Sequence, residues 1–195
     1  TSPKRNLTNV ITSLKGKDVR TIYIDGELTA ESQEATGTLV KITDTNFGES
    51  NKITLIGIHD ATIDAQSCGR FIETDENFFM KMQNLTIKNG WTSSSGGALF
   101  FYKSSLELDG CVIKDCFSEY NPIEGTDGIY MSASGSVLKM TNTTCEDSIY
   151  LYATKATICN DCTIGTEYTD GFITLDGEST LTLDGEDIVI YKPIY

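Results

Sequence analysis

The chain has 195 residues, 39% of them hydrophobic, and 28 acidic side chains against 15 basic ones give a formal net charge of −13. That length suits one domain with a substantial core. Lys and Arg cluster only at Lys4-Arg5 and Lys15-Gly-Lys17, so nucleic-acid and anionic-lipid partners are not expected, and no run approaches the ~18 apolar residues that span a bilayer.

In chain order, Thr1-Ser-Pro-Lys-Arg-Asn6 lacks the apolar segment of a secretory signal. The chain is therefore expected to be a processed form or part of a longer protein. Leu7, Val10, Ile11 and Leu14 have i, i+3, i+4, i+7 spacing, and Gly16 stands where a helix would stop. This predicts an amphipathic helix over 6–15, within an N-terminal capping segment, 1–19, on a repeat domain, 20–195.

From residue 20 onward, short alternating runs of Ile, Leu, Thr and Tyr are separated by Gly, Asn and Asp, which is strand and turn chemistry. They align on an eight-residue frame whose positions 1, 3, 6 and 8 point inward and whose positions 4 and 5 form a corner. The copies start at Ile22, Ile56, Met80, Leu106, Leu138, Thr157 and Leu181. Position 5 reads Gly26, Asp60, Asn84, Gly110, Asn142, Asp161 and Gly185. These residue types enter the left-handed αL region at low cost, so the corner is expected to need φ > 0 there. A third strand precedes the frames, at Leu39–Ile42, Gly69–Ile72, Gly97–Phe100, Gly128–Tyr130, Ser148–Tyr150 and Gly171–Ile173. Three strands repeating every ~20–30 residues predict an all-β, single-stranded solenoid, a parallel β-helix of about seven coils.

Gly96-Gly97-Ala98-Leu99, followed by Ser105-Leu106-Glu-Leu108-Asp-Gly110-Cys111-Val-Ile113, resembles the right-handed parallel β-helix repeats of bacterial and archaeal adhesin-like surface proteins and of polymorphic outer-membrane proteins. The resemblance covers residues 20–190 as a coil pattern. It implies extracellular or cell-surface display within a longer chain, and it says little about ligand, because the repeat is the scaffold itself.

The candidate binding surface is aromatic. If Ile129, Met131, Ile149 and Leu151 face inward, then Tyr130, Tyr150 and Tyr152 face outward. The same alternation places Phe71 and Phe172 outward, with Phe100 and Tyr102 between. The long connections nearby carry Trp91, Phe117, Tyr120, Glu119, Glu124 and Asp127. Exposed rings on a rigid scaffold suit sugar or protein contact, so Phe71, Trp91, Tyr102, Phe117, Tyr120, Tyr130, Tyr150 and Tyr152 are the candidate ligand-binding residues. The expected function is non-catalytic recognition of glycan or host protein.

Two alternatives stand beside it: a polysaccharide lyase or glycoside hydrolase, and a passive spacer. A lyase needs a basic side chain among carboxylates, and Arg70 with Glu73 and Asp75 is the one candidate group. The Asp residues at corners are explained by turn chemistry. His59 reads as an exposed corner residue without metal partners, and Ca²⁺ between acidic corners is left open. Cys111, Cys145, Cys159 and Cys162 fall on inward frame positions and read as core thiols. Cys68 and Cys116 fall outside the frames, near loops. No catalytic residue, metal site or cofactor is expected.

Overall fold

The computed structural model describes residues 6–17, 20–31, 37–42, 52–119, 127–169 and 171–195. One short helix, α1 (Leu7–Ser13), comes first. Asn6 caps it in an extended conformation and accepts a 2.9 Å hydrogen bond from the Asn9 amide, satisfying one of the donors a helix start leaves unpaired. Leu7 and Ile11 are buried in the core, and Thr8 Oγ1 donates to the Leu39 carbonyl at 3.0 Å. The helix is shorter than the predicted 6–15, and Gly16, at φ +69°, follows it.

The rest is strand. The first stretch holds β1 (Thr21–Thr29), β2 (Val40–Ile42), β3 (Lys52–Asp64), β4 (Ile72–Thr74), β5 (Phe79–Gln83) and β6 (Thr86–Lys88). Next come β7 (Trp91–Thr92), β8 (Leu99–Tyr102), β9 (Ser105–Asp109), β10 (Val112–Lys114), β11 (Phe117–Ser118) and β12 (Asp127–Thr141). The last are β13 (Thr144–Cys145), β14 (Ser148–Cys159), β15 (Thr163–Ile164), β16 (Ile173–Asp176), β17 (Thr180–Asp184) and β18 (Val189–Ile190). All the pairings between these strands are parallel, and they form one 16-stranded sheet plus a two-stranded one, β7 with β11.

The pairings of the larger sheet fall into three columns. The first runs β1, β3, β5, β9, the second half of β12, the second half of β14, and β17. The second, beyond the corner, runs β3, β6, β10, β13, β15, β18. The third runs β2, β4, β8, the start of β12, the start of β14, and β16. Parallel partners must come from distant parts of the chain. Lys81, for example, meets Glu107 across 26 residues, with an ion pair of 2.7 Å.

Register pairing lines up like side chains. Met80, Met82, Leu85 and Ile87 stack against Leu106, Leu108, Cys111 and Ile113, then against Leu138, Met140, Thr143 and Cys145, all at or below 1% exposure. Each large apolar side chain buried this way contributes about 1.5–3 kcal/mol. These three copies follow the predicted frame.

The other four depart from it, because the corner changes length. In the second copy Ile53 and Leu55 pair with Met80 and Met82 and are buried, while Ile56 and Ile58 belong to an enlarged corner and Ile58 is 36% exposed. In the first copy Leu28 pairs with Ile63, so Leu28 takes the inward place expected of Glu27 and Thr29. In the sixth, Ala156 and Ile158 are inward, which turns Thr157 and Cys159 out. In the seventh, Ile190 pairs with Ile164, and Ile188, not Glu186, packs on the core.

The corner itself follows the expected chemistry. All seven fifth-position residues have positive φ: Gly26 72°, Asp60 57°, Asn84 53°, Gly110 65°, Asn142 48°, Asp161 55° and Gly185 131°. Successive corners are tied together, with the Asn84 amide donating to the Asp109 carbonyl at 3.0 Å and Asn142 Nδ2 donating to Asp109 Oδ1 at 3.1 Å. The corner at the other end of the first column also turns through positive φ, at Asn77, Lys103, Ala133, Ala153 and Gly177. Serine hydroxyls serve it: buried Ser104 donates to the Asp75 carbonyl at 2.6 Å, buried Ser136 to the Ser132 carbonyl at 2.7 Å, and half-buried Ser179 to the Leu151 carbonyl at 2.9 Å.

A Cβ on Gly110 would lie 2.5 Å from Asn84 Oδ1, a side-chain end that can give way, so the αL cost of about 1–2 kcal/mol dominates. Gly110→Ala is therefore expected to destabilise by roughly 1–2 kcal/mol in urea unfolding. A loss under 0.5 kcal/mol would show that this corner is not built as described.

Candidate functional site

The third column carries the candidate surface. Leu99, Phe101, Ile129, Met131, Ile149 and Leu151 are buried, so strand alternation turns the intervening residues outward. Register then sets two outward rows side by side. One reads Lys41, Glu73, Phe100, Tyr130, Tyr150, Thr174. The other reads Tyr102, Ser132, Tyr152, Asp176.

In the first row the rings are cofacial. Phe100 and Tyr130 stack at 5.4 Å with planes 2° apart, and Tyr130 and Tyr150 at 5.1 Å with planes 12° apart. The Arg70 guanidinium lies 4.9 Å from the Phe100 ring centroid, and the Tyr150 hydroxyl donates to Asp176 Oδ2 at 2.7 Å. Arg70 is only 5% exposed and is held by Glu73 at 3.3 Å and by Thr92 Oγ1 at 3.0 Å. Its burial lowers its pKa, opposed by the neighbouring Glu73 carboxylate. Both faces of Tyr130 and at least one face each of Phe100 and Tyr150 are thus occupied within the protein. Face-on stacking of a sugar needs an open ring face, and this row offers mainly edges.

The loop-borne rings lie beside it. Trp91 and Phe117 are register partners in the two-stranded β7–β11 ribbon, 36% and 42% exposed. The ribbon joins the aromatic row through Arg70, which bonds Thr92 while covering Phe100. It also joins through Gly97, where a Cβ would come 2.6 Å from the Phe117 backbone oxygen. That close approach gives the Gly96-Gly97 step a packing reason.

Of the eight candidate residues, six stand where a ligand could reach them. Tyr152 is 44% exposed, Tyr102, Tyr130 and Tyr150 are partly exposed, and Trp91 and Phe117 form the ribbon. Phe71 is a correction: it is fully buried, and Phe172 is 6% exposed. At this corner two consecutive residues point inward, Phe71 with Ile72, Ala98 with Leu99 and Phe172 with Ile173, so alternation cannot be carried back across it. Tyr120 and Glu124 lie outside the described residues, as does the Asp127 side chain.

Other chemistry is sparse. Among the described residues no group of three His, Cys, Asp or Glu is placed to hold a metal ion, and no helix is long and apolar enough to cross a membrane. His59 is an exposed corner residue, but it has one partner, Asp25 Oδ1 at 2.9 Å. All six cysteines are free thiols. Cys116, expected near a loop, is buried. Cys159, expected inward, is partly exposed, and Cys68 is exposed. Burial pushes the Cys111 thiol up to about 11 and the Cys116 and Cys145 thiols well above their ordinary value, which makes them poor nucleophiles.

Asp147 was not anticipated. It is 6% exposed, and its Oδ2 accepts from the Cys116 amide at 3.0 Å. Burial pushes its carboxyl up to about 7, helped by Asp115 and Glu146 and opposed by the Cys116 bond. The folded pKa lies above the unfolded one, so the stability this group supplies is full below about pH 4 and is lost as pH rises through 7. Asp147→Asn is therefore expected to gain on the wild type by roughly 2–3 kcal/mol more at pH 8 than at pH 5, read from urea unfolding. An equal difference at both pH values would contradict the buried-carboxyl account.

Tyr130→Ala removes two stacked pairs and is expected to destabilise by about 1–3 kcal/mol. A change within 0.3 kcal/mol in thermal unfolding would mean that the row is ornamental. Compared with protein-family models, curated proteins and solved structures, the chain matches none.

Proposed function

We propose that this chain is a right-handed parallel β-helix of about seven coils that works as a non-catalytic recognition module for glycan or host protein, displayed on a cell surface or secreted, within a longer polypeptide. Support for the architecture comes from three columns of strands, parallel throughout and spaced by one repeat, with left-handed corners between them. The exposed Trp91–Phe117 pair, on a short ribbon beside the outward tyrosines, carries the functional reading. Two large rings left open to solvent on a rigid frame are what a recognition surface requires.

The non-catalytic form of the proposal rests on Arg70. A lyase would need that cation free to act on substrate, and Phe100, Glu73 and Thr92 hold it at 5% exposure. The spacer alternative draws on the Phe100–Tyr130–Tyr150 stack, whose faces are largely spent on internal contacts.

An oligosaccharide array probed with wild type and with a folded Trp91→Ala/Phe117→Ala variant separates these readings. Binding by the wild type that the variant loses is expected. Binding by neither removes glycan recognition and moves the weight to a protein partner or a spacer.

A further inference from the structure

The second outward row has a gap in it. Tyr102, Ser132 and Tyr152 are in register on three successive repeats, so a small hydroxyl side chain stands between two tyrosines. In the adjacent row, where the same three rungs carry Phe100, Tyr130 and Tyr150, centroids step by 5.4 and 5.1 Å. Two such steps place Tyr102 and Tyr152 roughly 10 Å apart.

Each tyrosine has a neighbour tied to the repeat beyond it. Lys103 Nζ sits 5.2 Å from the Tyr102 centroid while reaching back 2.8 Å to Glu76, on the preceding repeat. Tyr152 leans toward the following repeat, where a Cβ on Gly177 would lie 3.5 Å from its Cε2. Tyr152 is 44% exposed and Tyr102 partly exposed, and the register sets Ser132 between them.

We infer that this slot receives a single pyranose ring, held between Tyr102 and Tyr152 over Ser132. The inference rests on the recognition reading above and names its ligand class. A pyranose chair touching both rings through C–H groups needs roughly 4 Å on either side, about 8–9 Å in all, whereas a flat aromatic needs only about 7 Å and would be loose. The edges of a sugar are hydroxyls, and the floor of the slot offers the Ser132 hydroxyl to them. Trp91 and Phe117 then serve longer oligosaccharides rather than the first ring.

The test is binding of methyl glucoside, methyl galactoside and methyl mannoside to the full chain by saturation-transfer NMR, with melting temperature followed in parallel. Ser132→Tyr is expected to abolish binding with the fold intact, because the added ring completes the row. Tyr152→Ala is expected to weaken binding about tenfold by removing one face. Should Ser132→Tyr lower the melting temperature, Tyr152→Ala alone decides. Binding that survives these substitutions overturns the slot; if Trp91→Ala/Phe117→Ala then removes it, recognition stands and moves to the ribbon. A wild type that takes up none of the three sugars also overturns the slot, and the oligosaccharide array then decides the recognition reading separately.

Discussion

Parallel pairing in register is the constraint on which everything else in this protein depends. Once a strand lies parallel to its counterpart one repeat earlier, each side chain meets the residue at its own position in the next repeat. Apolar residues then build continuous inward rows such as Leu55, Met82, Leu108 and Met140. Outward residues build rows too, of charge at Lys81 and Glu107 and of rings at Phe100, Tyr130 and Tyr150. The corners must also repeat, which is why left-handed residues recur at the fifth position and why Asn142 reaches Asp109 on the corner before it.

The same constraint shapes what the surface can bind. A ring on every rung turns its faces to its neighbours along the row and stabilises the stack, but leaves mostly edges to solvent. A ring on alternate rungs does the opposite. Where the row of rings is broken at Ser132 and where the short ribbon carries Trp91 and Phe117, Tyr152, Trp91 and Phe117 are 44%, 36% and 42% exposed. The proposed recognition draws on departures from periodicity, whereas stability depends on periodicity.

How much was legible follows from the same distinction. The corner could be read because Gly, Asn and Asp mark positive φ, and the three central copies could be read because Met82–Leu85 and Leu108–Cys111 keep the spacing. The enlarged corner at Ile56–Asp60 could not, since Ile56 and Ile58 mimic inward alternation while Ile53 and Leu55 supply the real contacts. The second corner was silent because Lys103 and Ala153 adopt positive φ without being turn residues. Phe71 was misplaced because two consecutive residues face inward where the chain bends. Arg70 and Asp147 carry no local signal for burial; only the tertiary approach of Phe100 and of Cys116 shows it.

Backbone NMR contacts test the central claim most directly. Parallel pairing in register predicts Hα-to-amide contacts linking neighbours of the first column such as Lys81 with Glu107 and Glu107 with Lys139, and of the third column such as Phe100 with Tyr130 and Tyr130 with Tyr150. Strong Hα-to-Hα contacts between strands adjacent in sequence would instead signal antiparallel hairpins, and would contradict the rows, the stacked rings and the slot together.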